Sequence, residues 1–148
     1  MTTEERNDYF FDVVNPRLDE LARRICEATG MDDQVLGQVR CQELAGFYEE
    51  ETRRGYWHPS LTETMADFTA VYDAPAALPY YRLALEQARE LNLDSYSILF
   101  AMAEALAESG LKEQAEACLR DGRNQAQVAG DVDYIKKADS LAREFLSS

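Results

Sequence analysis

The sequence predicts an all-α fold of about eight helices, because apolar residues recur at three- and four-residue spacing along most of the chain. Composition points the same way. Alanine and leucine number 20 and 16, against 7 valines and 3 isoleucines; Ala and Leu lose little rotamer freedom in a helix, whereas β-branched residues lose more. The third observation is the punctuation: Gly and Pro fall mostly between the periodic runs, where helix ends use them. No stretch alternates apolar and polar residues. Even Asp121-Gly122, which can mark a hairpin, lacks alternating flanks. A chain of 148 residues suits a single domain.

Taken in order, Glu4 to Val14 reads as a short helix carrying Tyr9, Phe10, Val13 and Val14. Asn15-Pro16 then reads as a cap followed by proline at the first helical position, where its missing N–H costs nothing. Leu18, Leu21, Ala22, Ile25 and Ala28 form one face of that second helix, and Gly30 is its expected left-handed end. Asp32 or Asp33 caps a third helix reaching about Arg54. Its apolar residues Val35, Leu36, Val39, Leu44, Phe47 and Tyr48 spread over a broad arc, as expected of a helix with more than one neighbour. Gly55 to Pro59 is a loop holding the only Trp and the only His.

Ser60-Leu61-Thr62-Glu63 has the capping-box pattern, with Ser60 at the cap and Glu63 reaching back. The helix that follows carries Leu61, Met65, Phe68 and Tyr72 on one face. Asp73 to Leu78 reads as a turn, with Pro79 starting a helix to about Leu91. Asp94 is the expected cap of Ser95 to Ser109, closed by Gly110. Leu111 to about Val128 is closed by Gly130, and Asp131 starts a last helix ending near Phe145.

Charge narrows the function. The chain has 28 acidic and 15 basic residues, a formal net charge of −13. Residues 1–74 hold 16 of the acids and 7 of the bases; residues 75–148 hold 12 and 8, so the excess lies mainly in the first half. Such a chain repels nucleic-acid phosphate and anionic membrane surfaces, and no nucleic-acid or membrane partner is expected. No apolar run approaches the ~18 residues of a membrane span, and the charged start is not a signal-peptide pattern. Cys26, Cys41 and Cys118 are an odd, sparse set, as expected of a reducing cytoplasm.

The chain offers little for catalysis. A single histidine, His58, excludes His-rich metal sites, and it sits in a turn beside aromatics without a partner motif. The cysteines lack zinc-ligand spacing, and no nucleotide-binding or hydrolase signature occurs. Glu49-Glu50-Glu51 beside Arg53-Arg54 reads as a solvated helix end. Asp131 and Asp133 lack the glycine and glutamate that complete a calcium loop. No enzymatic activity, cofactor or metal is expected; a small enzyme using His58 is the weakest alternative.

Residues 65–88 align with residues 99–122 at a constant offset. Met65, Phe68, Thr69, Tyr72, Ala76, Tyr81, Leu85 and Ala88 fall opposite Leu99, Met102, Ala103, Leu106, Gly110, Ala115, Leu119 and Gly122. With one inserted residue, Tyr134, Ala138 and Leu141 begin a third copy. This stretch, about residues 65–142, resembles the tetratricopeptide repeat family, whose unit is a helix–turn–helix of about 34 residues. The run Gly110-Leu111-Lys112-Glu113-Gln114-Ala115 is similar to the family's inter-helix turn. The chain departs from it where the family's usual Trp is Met65 or Leu99, where its Leu-Gly pair is Met102-Ala103, and where Tyr81 replaces an alanine.

The resemblance implies helix–turn–helix repeats over 61–148, with 1–60 as an N-terminal helical subdomain capping the stack. It also implies a groove lined by the first helix of each unit. The matching positions are Glu63, Ala66, Ala70 and Asp73, then Ser97, Phe100, Glu104, Ala107 and Glu108. The implied function is a non-catalytic interaction module, adaptor or chaperone-like, that takes a basic or amphipathic segment of a partner protein through Phe100, Glu104 and Glu108. The alternative is an acidic immunity or inhibitor protein whose N-terminal half blocks a cationic toxin or nuclease. Three consecutive aromatics, Tyr9, Phe10 and Phe11, cannot share one helix face, so a homodimer through the N-terminal helices stands beside burial within one chain.

Overall fold

The first helix, α1 (Thr3–Tyr9), is entered through a capping box in this computed structural model, which describes residues 1–146. The Thr2 hydroxyl accepts the Glu5 N–H at 3.1 Å, and the Glu5 carboxylate accepts the Thr2 N–H at 3.2 Å. The chain does not break before Pro16. Phe10–Val14 widens into a π-turn and runs directly into α2 (Asn15–Gly30), so the two helices expected here are one continuous rod. Asn15 has helical dihedral angles (φ −60°, ψ −42°) and caps nothing. The proline explains the turn: its ring would clash with the carbonyl four residues back, inside the stretch that widens. The π-turn also divides the aromatics, burying Phe10 and Val14 and leaving Phe11 and Val13 exposed.

α2 buries Leu18, Leu21, Ile25 and Ala28 on one side. Its left-handed end is Asp32 (φ 54°), not Gly30. A short polar side chain tolerates that conformation, and the Asp33 N–H returns to the Ala28 carbonyl at 3.1 Å to close the end. The Asp33 carboxylate then accepts the Leu36 N–H at 2.9 Å and opens α3 (Gln34–Arg53).

α4 (Pro59–Tyr72) is capped by His58 rather than Ser60: the His58 Nδ1 accepts the Ser60 N–H at 3.1 Å. Glu63 is thereby released from the capping role the sequence suggested. α5 (Ala74–Glu90) starts one turn earlier than expected, because the Asp73 carboxylate accepts the Ala76 N–H at 3.2 Å and Pro75 lies in the first turn. Pro79 is inside the helix. α6 (Tyr96–Glu108) has no side-chain cap; the hydroxyl of Ser95 instead donates to Gln125 at 2.9 Å. α7 (Lys112–Ala129) and α8 (Val132–Leu146) follow the glycines Gly110 and Gly130, which take φ values of 79° and 75°. The described residues thus form seven helical rods, all-α and without a strand, one fewer than the sequence suggested.

Neighbours in sequence are neighbours in space: α2 packs on α3, α4 on α5, α5 on α6, α6 on α7 and α7 on α8. α4 also touches α6, and α6 touches α8, which sets α4, α6 and α8 side by side. Two cores result. Phe10, Val14, Leu21, Leu44 and Tyr56 form the N-terminal one, completed by Leu61, Met65 and Phe68 of α4. Ala66 on the same helix faces the other, which runs through Tyr81, Phe100, Leu106 and Ala115. α4 therefore belongs to both. The α6–α7 approach is close because position 122 has no side chain: a Cβ there would lie 2.9 Å from the Phe100 ring.

Candidate functional site

The side-by-side packing of α4, α6 and α8 places a row of carboxylates along one concave wall. Glu63, on the second turn of α4, is largely buried and accepts the Ser97 hydroxyl of α6 at 3.4 Å. The two residues are 34 apart in sequence. Burial, then the nearby Asp67, push the Glu63 carboxyl up to about 7, with Ser97 and Lys137 of α8 pulling weakly the other way. Asp67 lies one turn further along α4 and accepts the Tyr81 hydroxyl of α5 at 2.6 Å. Its outer edge meets solvent, yet the protein crowding around it raises its carboxyl too, against the Tyr81 hydrogen bond and Lys137. Glu104 on α6 is raised for the same leading reason, loss of water around its charge, with Lys137 opposing and Glu108, Glu144 and Asp67 adding to the rise.

Between these groups is a concavity of about 340 Å³, with Asp67, Tyr81, Glu104 and Glu108 on its walls and Ala70 and Ala101 on its floor. A second, of about 260 Å³, lies between α6 and α8 and shares Glu104 and Glu108. The two together make one acidic groove crossing α4, α6 and α8.

The N-terminal acids are arranged differently. Glu20, Glu27, Glu43, Glu50 and Glu51 each meet an arginine of α2, of α3 or just after α3. Among the described residues, Glu63, Asp67, Glu104 and Glu108 share in no such ion pair. The 16 acids and 7 bases of residues 1–74 leave that half negative even with every arginine paired, and Glu63 and Asp67 of the groove belong to that excess.

Of the residues singled out from sequence, Glu63, Ser97, Glu104 and Glu108 converge on this wall. Ala70 and Ala107 are half-buried within it, and Ala66 is wholly buried. Asp73 does not join them; its carboxylate caps α5. Phe100, expected as the groove's apolar centre, is completely buried. Its ring stacks on Tyr134 of α8 with centroids 5.3 Å apart, and it backs onto Gly122 of α7, so it is core rather than contact surface. Three wall residues escaped the sequence reading: Asp67, Tyr81 as a hydrogen-bond donor, and Lys137. Only Asp67 left a local signal, its four-residue spacing from Glu63 on one helix face.

His58 is buried against Phe10, at the start of α4. Its Nδ1 accepts the Ser60 N–H, so Nε2 carries the proton and donates to the Asn7 side-chain oxygen at 2.9 Å. The ring stacks on Phe10 at 4.2 Å, and burial, helped by the Arg6 charge, pushes its pKa down to about 4. Both nitrogens are engaged in holding α1 against the start of α4. Among the described residues no group of three or more His, Cys, Asp or Glu is placed to hold a metal ion, and no helix is long and apolar enough to cross a membrane. No protein-family model matches the chain, and no curated protein or solved structure is significantly similar to it.

Proposed function

We propose that this protein is a non-catalytic interaction module of tetratricopeptide-like design, whose concave wall receives a basic or amphipathic segment of a partner protein. The observation that carries the reading is a row of four carboxylates, Glu63, Asp67, Glu104 and Glu108, that form no ion pair among the described residues, with Glu63, Asp67 and Glu104 raised chiefly by loss of water around their charge. A carboxylate raised by desolvation gains most from an incoming cation. Two unit charges about 4 Å apart attract by roughly 1 kcal/mol in water and roughly 4 kcal/mol at the effective dielectric near a protein surface. A lysine or arginine side chain reaching the Asp67–Glu104 concavity gains on that scale, and Ala70, Ala101 and Ala107 offer its methylenes an apolar floor. The repeat-like offset supports the same reading, since α4 and α6 are the helices from which such modules build their binding face. No DNA, RNA or anionic membrane partner fits an acidic groove.

The inhibitor reading, in which the N-terminal half blocks a cationic toxin, rests on the negative excess of that half, of whose 16 acids five meet an arginine. A catalytic reading through His58 has no free ring nitrogen to work with. The test is fluorescence anisotropy with a labelled amphipathic peptide of alternating lysine and leucine. Glu104→Lys together with Glu108→Lys should weaken binding roughly tenfold or more, the equivalent of ~1.4 kcal/mol. Affinity unchanged by the reversal would remove the groove as the binding face.

A further inference from the structure

Glu63 sits where two helical hairpins meet. Its carboxylate lies on α4, and the Ser97 hydroxyl that it accepts belongs to the first turn of α6, the start of the next hairpin. The charged and titratable groups facing it come from every element packed there. They are Asp67 on α4 itself, Tyr81 of α5 through its bond to Asp67, and Tyr134 and Lys137 of α8, with Glu104 further along α6. Among these Lys137 is the one cation, and it is exposed, with its ammonium 5.5 Å from the Tyr134 ring centroid. At 3.4 Å the hydroxyl of Ser97 is a long donor for a carboxylate. Ser97 and Lys137 offset only part of what burial and Asp67 cost a negative charge on Glu63.

We propose that Glu63 is a proton-operated latch on the seam between the α4–α5 and α6–α7 hairpins. Its neutral form holds the seam closed and its ionised form loosens it. The neutral carboxyl gains an O–H that can donate to the Ser97 hydroxyl oxygen across the seam. It also removes one of two like charges set a single helical turn apart. Ionisation reverses both effects in a site with little water. Because the raised Glu63 titrates near neutrality, at about 7, the change falls within an ordinary range of pH. The latch concerns the seam itself and stands whether or not the groove takes a basic segment.

The sign follows from linkage. Glu63 in the closed seam holds its proton to about 7, and in an opened seam it returns to its ordinary 4.5. Opening therefore becomes easier as pH rises between those values. From about pH 6 to about pH 8 the opening equilibrium should grow roughly tenfold. Two measurements on the intact chain test this. In protein labelled with ¹³C at glutamate carboxyls, the resonance that disappears in Glu63→Gln should titrate with a midpoint near 7. Amide hydrogen exchange at Ser97 to Ala101, corrected for intrinsic rate, should speed up roughly tenfold over the same interval in the wild type and stay flat in Glu63→Gln. A Glu63 midpoint near 4.5, a flat wild-type seam, or a pH response retained by Glu63→Gln would each overturn the latch.

Discussion

Replacing Gly122 by alanine isolates the contact on which the α6–α7 hairpin depends. Gly122 lies in the interior of α7, where alanine is the better helix former by about 1 kcal/mol. On propensity alone the substitution stabilises. The surroundings decide otherwise: a Cβ at 122 would meet Phe100 Cε1 at 2.9 Å, Phe100 Cδ1 at 3.2 Å and Leu99 Cβ at 3.2 Å. Phe100 cannot retreat, because it is wholly buried and stacked on Tyr134. Overpacking of a closed core costs roughly 1–3 kcal/mol, and with displacement of a ring that touches two other helices the upper half of that range applies. The net effect is a loss of about 1–2 kcal/mol, or roughly 2–8 °C in Tm for a chain of this size. Gly46→Ala is the matched control: it too lies inside a helix, α3, but a Cβ there meets nothing within 4 Å, so it should stabilise by up to about 1 kcal/mol. Urea unfolding followed by circular dichroism reads both. Gly122→Ala as stable as Gly46→Ala would refute the packing argument.

Two further predictions concern the N-terminal half. His58, held neutral with a pKa of about 4 against an ordinary 6.5, contributes stability that is complete above 6.5 and lost as pH falls through 4. Its ring-proton NMR resonances should therefore titrate far below 6.5; a midpoint near 6.5 would mean that the Asn7 and Phe10 contacts do not form. The exposed side chains of Phe11 and Val13 offer on the order of 200 Å² of apolar surface, against the ~800 Å² per partner of a stable interface. Light scattering should find a concentration-independent monomer, whereas a dimer abolished by Phe11→Ser would establish the N-terminal interface.

The helices were legible in the sequence wherever one local signal decided them. Gly110 and Gly130 end their helices as left-handed residues, and Asp33 caps α3, because each acts within a turn of its own position. Errors arose where two local signals competed. Pro16 and Pro79 both read as helix starts, yet one is absorbed by a π-turn and the other follows an earlier start set by Asp73 and Pro75. Gly30 gave way to Asp32 for a similar reason. The groove was legible in part: Glu63, Ser97, Glu104 and Glu108 are positions that the tetratricopeptide resemblance implied, and they share one wall. Phe100 shared the resemblance but not that environment. Whether such a ring is open or buried depends on α8 lying over α6, a tertiary contact that spacing along α6 does not encode.

The central claim is that the unpaired acidic wall of α4, α6 and α8 is where a cationic segment binds. Chemical-shift mapping of ¹⁵N-labelled protein titrated with the lysine–leucine peptide tests it most directly. The account predicts shifts concentrated at Glu63, Asp67, Ala70, Ala101, Glu104 and Glu108, diminished by added salt. Shifts confined to the α1–α3 surface, or none at millimolar peptide, would contradict it.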